Sequence, residues 1–275
     1  MLDIGPIGIF DSGYGGLTVF KEIKKSLPSY DFVYLGDNAR VPYGTRSFET
    51  VLEYTWQCVN YMLVEKYCPL VILACNTASA KALRSIQQNQ LAELFPEKRV
   101  LGVIRPTTES IGNLTQSNRV GIFATSGTVL SKTYEIEIRK FFPDLKVYQQ
   151  ACPMWVPLVE NNEHLDSGSD YFVKKYINQI LEQDDKIDVI ILACTHYPML
   201  IKKIRKYLPQ DIKIISQGPI VADSLVDYLK RHQNLNNSIS KTSQIEYLTT
   251  DNSDIFDPKA SLFIKEQIKS SSIRF

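Results

Sequence analysis

Val71-Ile72-Leu73-Ala74-Cys75-Asn76-Thr77 and Ile190-Ile191-Leu192-Ala193-Cys194-Thr195-His196 carry nearly the same pattern. Each is a short apolar run, then Ala-Cys, then small or polar side chains, then a helical pattern. A strand buried on both faces in a parallel sheet reads as such an unbroken apolar run, and the turn at its end opens a helix. A helix N-terminus lowers a cysteine's pKa, so each frame predicts a usable thiolate. A second echo supports the first. Gly8-Ile9-Phe10-Asp11-Ser12-Gly13 parallels Gly121-Ile122-Phe123-Ala124-Thr125-Ser126-Gly127, 113 residues later, and the two cysteines stand 119 apart. The chain therefore holds two α/β units of similar plan, each giving one polar loop and one cysteine turn.

The remaining pattern extends this plan. Apolar runs at 7–10, 32–35, 70–73, 100–103, 120–123, 147–149, 189–192 and 213–215 predict strands. Helical spacing predicts helices over 17–26, 48–65, 78–94, 131–141, 169–182, 199–207 and 219–230. Strand-helix alternation specifies an α/β fold with mostly parallel sheets. Ligands of open α/β sheets bind beyond the carboxyl ends of the strands, so two facing units would hold one between them, a cysteine on each side. Residues 216–275 repeat neither unit. They begin with the turn-rich Ser216-Gln217-Gly218-Pro219, are expected to pack back on the first unit, and end in a segment, 270–275, expected to fray.

Composition narrows the function. The 275 residues carry a net charge of +1, which leaves no electrostatic footprint for nucleic acid. No apolar run reaches the roughly 18 to 20 residues that span a bilayer. The opening Met1-Leu2-Asp3-Ile4-Gly5-Pro6 lacks the basic and apolar regions of a secretory signal, so a cytoplasmic location is expected. Five cysteines, an odd number without a Cys-x-x-Cys pair, argue against a disulfide framework and a structural zinc. Cys58, Cys68 and Cys152 read as packing residues.

Two thiols flanking one small molecule suit a particular reaction. One thiolate removes a proton from carbon, the other thiol delivers one from the far side, and a stereocentre inverts. A cysteine protease needs one thiol and a separate histidine base; the available histidines are His164, His196 and His232. The carbanion would need donors in place, which Ser12, Asn76, Thr77, Thr125, Thr128 and Thr195 and the backbone at helix starts supply. Asp11, His196 and Glu160 are candidates for tuning the thiols. Asp11-Ser12-Gly13-Tyr14-Gly15-Gly16 fits neither phosphate-loop nor dinucleotide spacing, which favours a substrate loop. Asp37 alone reads as a solvated or capping carboxylate.

At these residues the chain resembles the cofactor-independent aspartate/glutamate racemase superfamily, and within it the glutamate racemases. The stretches that carry the likeness are 8–19 (GIFDSGYGGLTV), 34–47 (YLGDNARVPYGTRS), 73–80 (LACNTASA), 121–129 (GIFATSGTV), 151–160 (ACPMWVPLVE) and 193–198 (ACTHYP). The resemblance implies two pseudo-symmetric α/β domains, 1–100 plus 216–275 and 101–215, with the active site at their interface. It implies interconversion of L- and D-glutamate without cofactor or metal, Cys75 acting on the D-enantiomer and Cys194 on the L-enantiomer. Asp11 would assist Cys75; His196 with Glu160 would assist Cys194. Substrate contacts would come from Asp11, Ser12, Tyr43, Gly44, Asn76, Thr77, Thr125, Thr128, Thr195 and His196. It further implies a bacterial, cytoplasmic homodimer supplying D-glutamate for peptidoglycan, with no nucleic-acid or membrane partner. Ala124 and Arg105-Pro106-Thr107 depart from the family pattern. The chain starts just before the first motif, so activation by a cell-wall precursor, tied in some members to an N-terminal extension, is not expected. One alternative is racemisation of aspartate or another amino acid; aspartate-type members carry Glu where this chain has His196. Another is a non-catalytic binding protein of two α/β lobes, which would need neither thiol.

Overall fold

The computed structural model describes residues 4–275; Met1–Asp3, the start of the stretch read for a secretory signal, lie outside the described residues. The chain opens with β1 (Ile7–Asp11), α1 (Leu17–Ser26), β2 (Phe32–Gly36), α2 (Phe48–Val64), β3 (Leu70–Leu73), the short helices α3 (Asn76–Lys81), α4 (Leu83–Gln88) and α5 (Gln90–Leu94), and β4 (Arg99–Gly102). It continues through α6 (Ile104–Ser110), β5 (Arg119–Ala124), α7 (Ser126–Ser131), α8 (Thr133–Phe141), β6 (Lys146–Ala151), α9 (Trp155–Glu160), α10 (Gly168–Leu181), β7 (Val189–Ala193), α11 (Ile201–Tyr207) and β8 (Lys213–Ser216). It ends with α12 (Gln217–Arg231), α13 (Gln233–Asn237), β9 (Ile245–Thr249), α14 (Ser253–Ile264) and β10 (Ser270–Ser272).

Two sheets result, ordered β10-β9-β2-β1-β3-β4 and β6-β5-β7-β8. Every pairing within them is parallel. The order β2-β1-β3-β4 recurs as β6-β5-β7-β8, so the sequence echo is a topological repeat. In each copy the chain runs from the central strand to one side and then crosses to the other. The carboxyl ends of β1 and β3, and of β5 and β7, therefore flank a switch point, where open α/β sheets bind ligands.

The layers follow from strand periodicity. Phe10, Val33, Leu35, Val71 and Leu73 face Val51, Val59, Met62 and Leu63 of α2. Ile7, Ile9, Tyr34 and Ile72 face the opposite way, into a core shared with α1, α12 and α14 and continuous with Phe123, Trp155, Leu192 and Tyr197 of the second unit. Val120, Ile122, Val189 and Ile191 pack under α6 and α8. Helix α2 shows why these segments form. Ser47 accepts the Thr50 N–H at 3.2 Å as N-cap, Glu49 sits in the first turn, and buried Val51, Thr55, Cys58, Val59, Met62 and Leu63 recur at helical spacing. Such a cap contributes about 1 kcal/mol.

Four expectations change. The helix expected over 78–94 is three helices, because the backbone is stretched at Ala82, at φ −111° and ψ −36°, and leaves helical geometry at Asn89, at φ −109° and ψ −87°. The helix expected over 131–141 is broken at Lys132, whose φ is +54°. Residues 104–110, for which the sequence predicts neither strand nor helix, form α6; Pro106 falls in its first turn, where a missing N–H costs nothing. The end expected to fray holds β10, and Ile273 N–H donates to Thr249 O at 2.8 Å. Among the described residues no helix is long and apolar enough to cross a membrane.

The segment entering β5 is fixed by one carboxylate. Asp188 accepts from Thr115 Oγ1 (2.5 Å), Gln116 N–H (2.6 Å), Ser117 N–H (3.0 Å) and Ser117 Oγ (2.8 Å). Partial burial pushes its pKa up, but these hydrogen bonds outweigh that and hold it at about 2. A depressed carboxylate contributes stability above its unfolded pKa, about 3.9, and loses it as pH falls toward its folded one. Thermal unfolding should show Asp188→Asn less stable than the native chain at pH 7 by about 1 to 3 kcal/mol. The difference should shrink between pH 4 and pH 2; an unchanged difference at acid pH would refute the assignment.

Candidate active site

Asp11 closes β1, and Cys75 follows β3 after Ala74. Asp11 is fully buried; its Oδ2 accepts the Gly13 N–H at 2.9 Å, while Oδ1 has no partner. Burial pushes its carboxyl up, against the lowering by the His196 charge and the Gly16 and Gly13 N–H groups. Cys75 caps α3, accepting the Ala78 N–H at 3.4 Å, and its sulfur lies 3.5 Å from Ser12 Oγ. Burial and the nearby Asp11 push the Cys75 thiol up to about 12. That reverses the thiolate expected from a helix start: desolvation outweighs the Ala78 N–H and the Ser12 hydroxyl.

Cys194 follows β7, the strand equivalent to β3, and leads into a 3-10 turn, Tyr197–Leu200. Its sulfur lies 3.9 Å from His196 Nδ1, and His196 Nε2 lies 3.0 Å from Oε1 of Glu160, the last residue of α9. Burial works to discharge the imidazole, but Cys194 and Glu160 together outweigh it and hold its pKa at about 10. An imidazolium thus stands between sulfur and carboxylate. Phe263 of α14 meets the His196 ring edge-on at 5.5 Å and stacks on Tyr14, which also stacks on Phe256.

The two halves meet closely. A Cβ on Gly15 would lie 2.3 Å from Thr195 Oγ1 and 2.4 Å from His196 Nδ1, so only glycine allows this loop against the second unit. Thr18 Oγ1 donates to Thr195 O at 2.9 Å. Thr77 Oγ1 lies 3.0 Å from Thr125 Oγ1 and 3.5 Å from Thr128 Oγ1, and Thr125 lies 3.0 Å from Thr128. A Cβ on Gly44 would touch Thr125 at 3.1 Å. Asp11, Ser12, Cys75, Asn76, Thr77, Gly44, Thr125, Thr128, Cys194, Thr195, His196 and Glu160 therefore gather along one seam. Among the described residues no three His, Cys, Asp or Glu side chains gather as a metal site.

Tyr43 sits differently from its expected part. Its hydroxyl donates to Asp37 Oδ2 and its ring is buried, so the phenol anchors its loop. Asp37, expected to be solvated or capping, is fully buried; it also accepts from Arg40 Nε at 2.7 Å and Thr250 Oγ1 at 2.8 Å. Sequence reasoning missed Tyr134 and Gln217. Tyr134 donates to Asn76 Oδ1 at 2.6 Å, and Asn76 Nδ2 donates to Gln217 Oε1 at 2.7 Å. Ser216-Gln217-Gly218-Pro219 was visible as a turn, but nothing in the sequence ties it to Asn76.

The Asp/Glu/Hydantoin racemase family model matches residues 7–225. A glutamate racemase from Sulfurihydrogenibium sp. is 37% identical over 268 residues, 98% of this chain and 96% of that one. The solved glutamate racemase isoform RacE1 of Bacillus anthracis superposes with a TM-score of 0.89 at 33% identity, covering 98% of each chain. The Francisella tularensis glutamate racemase, solved with D-glutamate, gives 0.87 at 32% identity over 99% of this chain and 98% of that one. With motifs, topology and these likenesses agreeing over nearly its whole length, the chain belongs to the Asp/Glu/Hydantoin racemase family and, within it, to the glutamate racemases.

Proposed function

We propose that this protein interconverts L- and D-glutamate by moving a proton at Cα between two cysteines. The observation that carries the reading is the placement of Cys75 and Cys194 after equivalent strands of the two sheets, facing one seam lined by hydroxyl and amide groups. The domains we assign are 1–100 plus 216–275 and 101–215; the sheet membership of the strands supports the division, with β4 carrying the first boundary on to Gly102. In the cell the reaction would supply D-glutamate for peptidoglycan from a cytoplasmic homodimer.

The two thiols take different parts. A Cys75 pKa near 12 keeps that sulfur a thiol, the form that donates. Cys194, 3.9 Å from His196 Nδ1, takes the accepting part in the proposed reaction. L-Glutamate would lose its α-proton to Cys194 and receive another from Cys75 on the opposite face. The chain is left with Cys75 as thiolate, the form that acts on D-glutamate, and Asp11 beside it can return a proton. Asn76, Thr77, Thr125, Thr128 and Thr195 would hold the substrate, and backbone N–H groups at the starts of α3 and α7 would meet charge growing on its α-carboxylate. Because the equilibrium constant between enantiomers is one, kcat/KM must be equal in both directions at every pH; the asymmetry of the thiols enters kcat and KM separately.

Incubated with L-glutamate in D2O and no added cofactor, the protein should abolish optical rotation. Early D-glutamate should carry deuterium at Cα while the remaining L-glutamate keeps protium. Cys75→Ala and Cys194→Ala should each lower turnover by at least about 10³-fold, each thiol being an acid-base group, without unfolding the chain. Full activity in either variant would sink the two-thiol assignment, and rotation lost with aspartate alone would move the substrate.

The alkaline limb offers a second test. Above about pH 10 His196 loses its proton, the positive charge beside Cys194 is gone, and racemisation should fall. Glu160 raises the His196 pKa, so Glu160→Gln should shift that limb to lower pH. A limb that stays in place would detach Glu160 from His196 during turnover.

A further inference from the structure

Gln217 is the first residue of α12, directly after β8, where the chain leaves the second sheet for a helix that packs on α1. It is 3% exposed. The two hydrogens of its Nε2 serve three acceptors, the Tyr134 hydroxyl at 2.7 Å, Thr107 Oγ1 at 3.0 Å and Val103 O at 3.2 Å, so one of them is shared. Its Oε1 accepts from Asn76 Nδ2 at 2.7 Å, and Tyr134 donates to Asn76 Oδ1 at 2.6 Å. Val103 lies between β4 and α6, where the chain first crosses from one sheet to the other. One amide thus joins both crossings, α6 and α8, and the residue next to Cys75.

We infer that Gln217 is a positioning residue that holds the Asn76 amide in its working orientation and ties it to the two crossings between the sheets. The inference rests on the seam being the racemase site. A plain packing role would leave Asn76 free to turn; here both ends of its amide are gripped, the nitrogen by Gln217 and the oxygen by Tyr134, which itself accepts from Gln217. The three side chains close a ring of hydrogen bonds in a buried place, where such networks hold one geometry when every member is satisfied. Asn76 begins the helix that Cys75 caps, so a turn of its amide is felt at the sulfur's own helix start.

A double-mutant cycle separates positioning from packing. Gln217→Met keeps length and volume and removes both polar ends. With L-glutamate it should lower kcat/KM about tenfold or more, whereas in an Asn76→Ala background the same change should alter it less than about twofold. Tyr134→Phe should behave the same way, and serves if Gln217→Met does not fold. Losses of equal size in both backgrounds, or a Gln217→Met kcat/KM within twofold of native, would overturn the inference. Absence of racemisation by the native chain would instead defeat the proposed reaction. The cycle is then read from L- and D-glutamate affinities measured by calorimetry on the same four proteins, with the same non-additivity expected and the same additivity refuting it.

Discussion

Asp11, Cys75, Cys194 and His196 are kept out of water together, each no more than 6% exposed. An ionised group taken from water costs several kcal/mol unless partners replace its hydration. The two sides of the seam meet that demand in opposite ways. Beside Cys75 few partners are provided: Asp11 has the Gly13 N–H on one oxygen and no hydrogen bond on the other, and both groups are driven toward their neutral forms. Beside Cys194 the partners are complete, His196 having sulfur on one nitrogen and carboxylate on the other, and a charge is kept. A symmetric fold thereby places its two thiols in different surroundings, one beside a buried carboxyl and one beside a His–Glu pair.

The features that seal the seam follow from this. Gly15 lets the first loop lie against Thr195 and His196 with no room for solvent between. The third segment also contributes. Strands β9 and β10 only extend the first sheet, yet α14 brings Phe263 against the ring of His196, a residue of the other unit. The addition that breaks the twofold plan is therefore the one that encloses the charged half of the site.

The central strands were legible in the sequence because burial on both faces leaves an unbroken apolar run; β1, β3 and β7 stand within a residue of their expected ends. The edge was not. Ser270–Ser272 has no apolar signal, since a short edge strand is specified by the partner it meets and not by its own side chains. Helix α14 carries a pattern, Phe256, Ala260, Phe263 and Ile264 behind the Asn252 cap, which Pro258 obscures. In the site, the two cysteines, Asp11, His196 and Glu160 were legible as chemistry placed at strand ends. The state of Cys75 was not, because a helix start and full desolvation pull its pKa in opposite directions and only packing decides between them. Gln217 and Tyr134 were invisible for another reason: their partners lie 141 and 58 residues away along the chain.

Burial also constrains access. Both cysteines are 6% exposed, so little of either meets water. The bonds noted across the seam are few and hydroxyl-borne, Thr18 to Thr195 and Thr77 to Thr125 and Thr128, each worth about 0.5 to 1.5 kcal/mol. The crossings between the sheets are held instead by covalent chain and by the closed ring around Gln217, whose breaking would strand several buried polar groups at once.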